Sequence, residues 1–232
     1  MFEFNKIISH RGIHDNKTIY ENTLPAIKKA RDEGYIIEID IHITIDDKII
    51  VFHDNNIKRI TGINKIVEES TYQELNQQTI IHIPLLEEVL ELVDKKVPLL
   101  IEIKQPNKVG KLETKLMDIL KNYSGKYAIQ SFNPKVLYWF KKHYPNILRG
   151  QLSSHFEKKK IPLYQKILLK DMVFNYITKP HFISYKYNEL SIEKIKYYQK
   201  KKIKVLGWTI TDKETYQKYE NTYDNLICEN FL

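Results

Sequence analysis

The chain has 232 residues, a length that fits one α/β barrel and exceeds a minimal domain. Its 37 Lys and Arg residues outnumber 29 Asp and Glu residues, and the resulting net charge of +8 suits nucleic acid, an anionic membrane surface or a phosphorylated small molecule. A single cysteine, Cys228, excludes an intrachain disulfide and a cysteine-based zinc site. The sequence has no apolar run near the roughly 20 residues that span a bilayer and no signal-peptide pattern, so we expect a cytoplasmic protein.

Short apolar runs alternate with helical patterns along the chain. Strands are predicted at 7–9, 36–41, 98–103, 127–130, 147–152, 182–185, 204–209 and 225–228. Apolar positions with helical spacing lie between them, and a capping-box pair, Thr211 and Glu214, predicts the start of the last helix. Eight strands joined by helices predict a parallel closed sheet, the single (β/α)8 TIM barrel.

The second strand is predicted to continue into a hairpin. Residues 41–44 and 49–52 are both rich in apolar side chains, and the few residues between them cannot form a crossover between parallel strands. We therefore expect an extra antiparallel hairpin after strand 2, in which residue 44 pairs with residue 49. That register would place Asp40 opposite His53.

Two other segments interrupt the alternation. Residues 55–83 have weak periodicity and are expected to form a small polar insertion within one domain that takes up residues 1–232. Residues 156–178 mix a lysine run with apolar residues, and we expect a helix there without clear ends.

Acidic residues alternate on strand 2. Glu38 and Asp40 are two residues apart, so both carboxylates project from the same face of the strand. Neighbouring carboxylates repel each other and are costly to bury, so the pair requires a metal ion or a basic partner. Glu102 and Lys104 alternate in the same way on a later strand, and His10 follows the first. Because an (β/α)8 barrel gathers the carboxyl ends of its strands at one face, we expect these residues to lie together.

Ligand chemistry suggests roles for the charged residues. Glu38, Asp40 and Glu102 make an all-oxygen set that suits one divalent cation, Mg²⁺ or Ca²⁺, better than Zn²⁺. Arg11 and Lys104 can bind a phosphate group, the first as a planar fork and the second as a point charge. The pattern therefore indicates a metal-assisted phosphate site.

The sequence also suggests roles for two histidines and two aromatic residues. His10 and His53 can exchange protons near neutral pH, so one would act as base and the other as acid in cleaving a phosphate diester. In the alternative interpretation, one or both imidazoles ligate the metal. Trp208 either lines the substrate pocket or caps the barrel, and Phe132 is expected in the core.

Binding partners are less constrained by the sequence. Tyr and Lys residues near 185–202 could stack on nucleic acid, but solvated helix faces explain them better, so we expect no nucleic-acid binding. A small phosphodiester is the expected partner. The basic charge leaves a weak association with a membrane surface open, and the oligomeric state is not predicted.

Several short motifs follow one another in a fixed order. They are Ser9-His10-Arg11-Gly12, Glu21-Asn22-Thr23, Glu38-Ile39-Asp40, Val51-Phe52-His53-Asp54 and Leu100-Ile101-Glu102-Ile103-Lys104, with Gln130-Ser131-Phe132 and Gly207-Trp208-Thr209 further on. In order and spacing they resemble the glycerophosphodiester phosphodiesterase family. The resemblance extends over nearly the whole chain.

The resemblance implies a phospholipase-like TIM barrel with one divalent metal at the three carboxylates. It implies hydrolysis of glycerophosphodiesters, such as glycerophosphocholine or glycerophosphoethanolamine, to an alcohol and glycerol 3-phosphate. It assigns acid–base roles to the two histidines and phosphate contacts to Arg11 and Lys104, and it adds Glu21 and Asn22 as positioning residues. The neighbouring glycerol hydroxyl would attack the phosphorus through a cyclic phosphate, although direct attack by water needs the same residues.

Departures from the family pattern concern the substrate more than the chemistry. Tyr20 replaces the usual Pro, the loop at 13–19 replaces a short stretch of small residues, and Glu229 follows Cys228 where Thr-Asp is common. One rival is a lysophospholipase D of the same fold, which needs an apolar entry surface for which residues 161–177 are the candidate. Another is a barrel that binds phosphodiesters without cleaving them.

Overall fold

The computed structural model describes residues 3–77, 79–104, 108–157 and 159–231. Strands in these ranges lie close to the predicted positions. They are β1 (Ile8–His10), β2 (Ile36–Ile43), β3 (Ile49–Val51), β4 (Leu99–Ile103), β5 (Tyr127–Ser131), β6 (Arg149–Ser153), β7 (Phe182–Lys186), β8 (Lys204–Ile210) and β9 (Asn225–Cys228).

A closed parallel barrel contains all of these strands except β3. The strands follow one another around the barrel in chain order, and β1 closes it by pairing with both β2 and β9. Ile8 lies between Ile36 on one side and Ile227 on the other. The predicted (β/α)8 barrel is confirmed.

The strand outside the barrel, β3, forms the expected antiparallel hairpin with the end of β2. Its predicted register is wrong by one residue, because His42 pairs with Ile50 and Asp40 lies opposite Phe52. The turn causes the shift. The backbone N–H of Thr44 donates to the carbonyl of Lys48 at 2.9 Å, so the connecting loop has three residues, not four.

Helices connect the barrel strands and pack around them. They are α1 (Leu24–Asp32), α2 (Lys58–Thr61), α3 (Tyr72–Asn76), α4 (Leu86–Val93), α5 (Lys111–Leu120), α6 (Pro134–His143), α7 (Leu163–Lys170), α8 (Asn175–Thr178), α9 (Ile192–Lys200) and α10 (Lys213–Tyr219). The predicted capping box at Thr211 and Glu214 is wrong. Asp212 caps α10, because its side chain accepts a hydrogen bond from the backbone N–H of Thr215 at 2.7 Å. Among the described residues, no helix has the length and apolar character to cross a bilayer.

The barrel interior changes from apolar to polar along the strands. One buried layer fills the end where the strands begin; it consists of Ile8, Ile36, Leu100, Ala128, Phe182, Leu206 and Ile227. Side chains two residues further along a strand face the same side. These next positions hold His10, Glu38, Glu102, Gln130 and Trp208 on five strands and Glu229 just after β9. The apolar layer thus forms the floor of a polar mouth.

The described part of residues 55–83 packs beside this mouth. It contains α2, α3 and a short 3-10 turn at Val67–Glu69. Its apolar side chains share a small cluster with the hairpin, made of Ile50, Phe52, Ile57, Val67, Leu75 and Ile83. The segment expected to be a polar insertion therefore shares a small apolar core with the hairpin.

Candidate active site

Three buried carboxylates meet at the mouth of the barrel. Parallel pairing of β2 with β4 places Asp40 beside Glu102, and Glu38 lies on the same face two residues earlier. One oxygen from each of the three lies within 4.8 Å of the other two. The structure thus brings together the three residues expected to hold a metal.

Burial and neighbouring charges shift the pKa values of these three carboxyl groups in different directions. Burial, followed by the charges of Asp40 and Glu102, raises the pKa of Glu38 well above its usual value. Burial also raises the pKa of Glu102. Although burial opposes it, the positive charges of Lys104 and Arg11 hold the pKa of Asp40 well below its usual range.

Two cationic side chains lie against this acidic group. Nζ of Lys104 is 2.7 Å from Oε1 of Glu102 and 3.2 Å from Oδ1 of Asp40. Nε of Arg11 is 3.0 Å from Oδ2 of Asp40, while another nitrogen of its guanidinium donates to Glu21 at 2.8 Å. Glu38 instead accepts a long hydrogen bond, 3.3 Å, from the backbone N–H of Arg11.

The donor set fits a divalent cation. Oδ1 of Asp40 is buried, and apart from the ion pair with Lys104 at 3.2 Å it has no hydrogen-bond partner among the described residues. Burial, followed by the charges of Asp40 and Glu102, raises the pKa of Glu38 despite the opposing charges of Arg11 and Lys104. An ion shared by the three carboxylates would supply the missing positive charge, and oxygen ligands suit Mg²⁺ or Ca²⁺.

His10 is held by Glu229, to which the sequence pattern assigned no role in the site. Its Nδ1 is 2.5 Å from Oε2 of Glu229, which follows β9. Burial, followed by the charge of Arg11, lowers the pKa of His10 to about 4, so the imidazole is neutral at neutral pH. The bond to a carboxylate places the ring proton on Nδ1 and leaves the lone pair of Nε2 available.

His53 has a similar arrangement at the mouth. Its Nδ1 is 2.5 Å from Oδ1 of Asp54. Burial opposes ionisation of Asp54, but hydrogen bonds from His53 and Arg59 lower its pKa below the usual range. The side chain of His53 is 31% exposed, compared with 14% for His10, so water reaches it more easily.

Glu21 and Asn22 support the site from the loop between β1 and α1. The amide of Asn22 donates to Oδ2 of Asp40 at 2.9 Å. Glu21 bridges Arg11 and Arg59, at 2.8 and 2.6 Å. Despite burial, the hydrogen bond from Arg59 and the charge of Arg11 lower the pKa of Glu21 to about 2. Both residues thus lie where they can position the polar groups around them.

Aromatic side chains form one wall of the cleft above the carboxylates. Trp208 and Phe132 pack edge to face, with ring centroids 5.7 Å apart, and both line this cleft together with the two histidines and Lys104. Phe132 is half-buried at the mouth, so the prediction that it lies in the core is wrong. Nζ of Lys159 lies 5.2 Å from the Phe132 ring centroid.

Sequence reasoning missed some of the polar groups in this site. Glu229 and Gln130 each come two residues after a member of the apolar floor, so strand alternation would have placed them at the mouth. Gln130 donates to Oε1 of Glu38 at 3.4 Å. Arg59 comes from α2 in the insertion, and no periodic pattern indicates where its side chain would lie.

Comparison with known proteins places the chain in a family. Residues 10–227 match the model of the Glycerophosphoryl diester phosphodiesterase family. A glycerophosphodiester phosphodiesterase from Bacillus altitudinis is 32% identical over 158 residues, which cover 61% of this chain and 64% of that protein. One from Caldanaerobacter subterraneus subsp. tengcongensis is 29% identical over 227 residues, 91% of this chain and 88% of that protein.

Solved structures share the fold. A glycerophosphodiester phosphodiesterase from Thermotoga maritima is 26% identical and superposes with a TM-score of 0.75 over 98% of this chain and 96% of that chain. A phosphodiesterase from Oleispira antarctica, solved in complex with its product sn-glycerol-3-phosphate, is 21% identical, with a TM-score of 0.81 over 98% and 94%. Since the family model spans nearly all of the barrel, the chain belongs to the glycerophosphoryl diester phosphodiesterase family of enzymes.

Proposed function

We propose that this chain, as one catalytic domain, hydrolyses glycerophosphodiesters such as glycerophosphocholine or glycerophosphoethanolamine to an alcohol and glycerol 3-phosphate with the help of one divalent cation. The observation that carries the proposal is the cluster of Glu38, Asp40 and Glu102 beside two imidazoles that each bond a carboxylate. The names of the relatives and the glycerol 3-phosphate bound to the Oleispira antarctica protein support the substrate class.

The three carboxylates would hold Mg²⁺ or Ca²⁺, and such an ion polarises a phosphate oxygen and stabilises the charge that develops on it. Among the described residues, the group of candidate ligand atoms within 4.8 Å of one another includes neither His10 nor His53. This favours proton transfer over metal ligation as the role of the two imidazoles. Lys104 reaches the same group and would bind the phosphate.

Proton transfer would be divided between the histidines. His10 is neutral because of its low pKa, and Glu229 fixes its Nδ1 proton, so Nε2 would accept the proton of the attacking hydroxyl. His53 would donate a proton to the leaving alcohol, held in orientation by Asp54. The attacking hydroxyl is that of the substrate glycerol or of water; both routes use these residues.

Removal of one imidazole tests the proposal. We expect His53→Ala to release glycerol 3-phosphate from glycerophosphocholine at least about 100-fold more slowly, the contribution typical of acid–base catalysis. The control is His82→Ala, which removes an exposed imidazole that bonds Glu88. Circular dichroism would show that both variants fold. Undiminished turnover by the folded His53→Ala protein would remove His53 from the mechanism.

The lysophospholipase D alternative uses the same site with a lipid substrate. The exposed apolar side chains of α7 are the observation that favours it. Comparing turnover of glycerophosphocholine with that of lysophosphatidylcholine separates the two activities.

A non-catalytic barrel is disfavoured, because every polar residue expected for catalysis lies at the mouth. The cytoplasmic location stays a prediction.

A further inference from the structure

The helix α7 presents apolar side chains to solvent. None of its eight residues is buried, although Leu163, Tyr164, Ile167, Leu168 and Leu169 are apolar or aromatic. Leu163 is 72% exposed, Tyr164 62% and Ile167 50%. The helices α1, α4, α5 and α6, by contrast, each bury at least three apolar residues. Packing within this barrel therefore does not account for the apolar character of α7.

Positive charge surrounds the same helix. Residues 156–170 contain five lysines and one glutamate. Lys160 precedes the helix and is exposed, and Lys166 and Lys170 lie within it. Apolar side chains bordered by lysines are typical of helices that lie in the interface of an anionic membrane.

The helix is fixed beside the active-site mouth. The hydroxyl of Ser153, the last residue of β6, donates to the carbonyl of Leu169 at 2.8 Å. Lys159, just before the helix, lies over the rings of Phe132 and Phe156, and Phe132 lines the cleft above the carboxylates. A surface that covered α7 would therefore lie next to the entrance of the cleft.

We infer that α7 docks on an anionic lipid surface, with Leu163, Tyr164 and Ile167 inserted among the acyl chains and the lysines at the phosphates. Burial of apolar area and attraction of lysine to anionic headgroups both favour this contact. A second copy of the chain fits less well, because it would bring another molecule with a net charge of +8 against a lysine-rich face. The inference goes beyond the proposed hydrolysis, since docking requires no catalysis.

Sedimentation with lipid vesicles tests this inference. We expect the full chain to bind vesicles of phosphatidylglycerol and phosphatidylcholine at least about tenfold more tightly than vesicles of phosphatidylcholine alone, and less tightly as salt is added. The variant Tyr164→Ser/Ile167→Ser should bind the anionic vesicles about tenfold more weakly, because two exposed apolar anchors are lost. The control Tyr197→Ser/Ile192→Ser makes the same changes on α9, where these residues are 52% and 53% exposed.

Several outcomes would overturn the inference. It is wrong if the full chain fails to sediment with anionic vesicles, if the α7 variant binds them as tightly as the wild type does, or if the α9 control loses as much affinity as the α7 variant. A dimer in solution without lipid, broken by the α7 variant alone, would assign the helix to a second copy instead. Turnover of water-soluble glycerophosphocholine should be unchanged in the α7 variant, so failure of docking and failure of hydrolysis are measured separately.

Discussion

At the scale of single residues, the carboxylate of Glu229 determines which nitrogen of His10 carries the ring proton. In Glu229→Gln the amide can also donate to Nδ1, which would move the ring proton to Nε2 and remove the base. We expect kcat for glycerophosphocholine to fall about 100-fold with little change in KM, because the acid–base contribution is lost and substrate contacts remain.

The conservative change separates this positioning role from a merely structural one. Glu229→Asp keeps the charge but shortens the side chain, so its kcat should lie between those of the wild type and the Gln variant. Glu220→Gln, which changes an exposed carboxylate, serves as the control. If the Gln variant turned over as fast as the control, Glu229 would have no part in positioning His10.

Glu113 provides a second prediction at this scale, concerning stability. It is buried at the start of α5, where Oε2 accepts the backbone N–H of Gly110 and Oε1 has no partner among the described residues. Burial raises its pKa above the usual value. When the pKa of a carboxyl is higher in the folded than in the unfolded state, the free energy of unfolding falls as pH rises from the unfolded-state pKa to the folded-state pKa. Glu113→Gln removes this loss of stability but keeps an acceptor for Gly110.

We therefore expect Glu113→Gln to raise Tm at pH 8 by about 3 °C, the shift that about 1 kcal/mol produces in a chain of this size. At pH 4 the carboxyl of the wild type is largely protonated in both states, so the difference should be much smaller. Thermal unfolding at the two pH values measures this, with the exposed Glu87→Gln as control. A Tm difference that did not change with pH would contradict the explanation.

At the scale of elements, Gly150 on β6 allows Phe182 on β7 to fill the barrel floor. A Cβ at Gly150 would lie 2.0 Å from Cε2 of Phe182, which is fully buried. We expect Gly150→Ala to reduce the free energy of unfolding by about 2 kcal/mol, as overpacked cores do. Phe182→Leu removes the clash, so the double variant should be more stable than the sum of the single changes predicts. Additive effects in denaturant unfolding would contradict a direct clash.

The elements also show where sequence patterns suffice. Most barrel strands were found because runs buried on both faces are rich in apolar residues, which gives a nearly continuous signal. The hairpin register depended on whether Thr44 pairs with Lys48 or with Ile49, which the conformation of the turn decides and the apolar pattern does not. The cap of α10 was misplaced because Thr211 and Asp212 are both good capping residues, one position apart.

At the scale of the whole molecule, the site combines residues that pattern can place with residues that only the tertiary fold can place. Glu38, Asp40 and Glu102 were predictable because strand alternation and the barrel face fix their direction. Arg59 was not, because it comes from a helix in the insertion, yet it bonds both Glu21 and Asp54. Residues of this kind have no periodic signal, and their contacts depend on how the insertion packs.

The same barrel mouth links metal binding to the stability of the whole chain. A ligand that binds only the folded state at 100 times its Kd adds about 2.7 kcal/mol to the free energy of unfolding, which corresponds to about 8 °C in Tm. We expect Ca²⁺ or Mg²⁺ to produce such a rise after treatment with chelator. The expected source is neutralisation of Glu38, because burial, followed by the charges of Asp40 and Glu102, raises the pKa of its carboxyl.

The variant Glu38→Gln should differ from the wild type in its Tm both with and without the cation. It removes a buried charge from the acidic group, so in chelator it should unfold at a higher temperature than the wild type. It also removes a ligand, so the added cation should raise its Tm far less. Thermal unfolding of both proteins would then give the wild type the lower Tm in chelator and the higher Tm with added cation. A wild-type Tm that the cations leave unchanged, or a rise of equal size in Glu38→Gln, would mean that these carboxylates do not hold the ion.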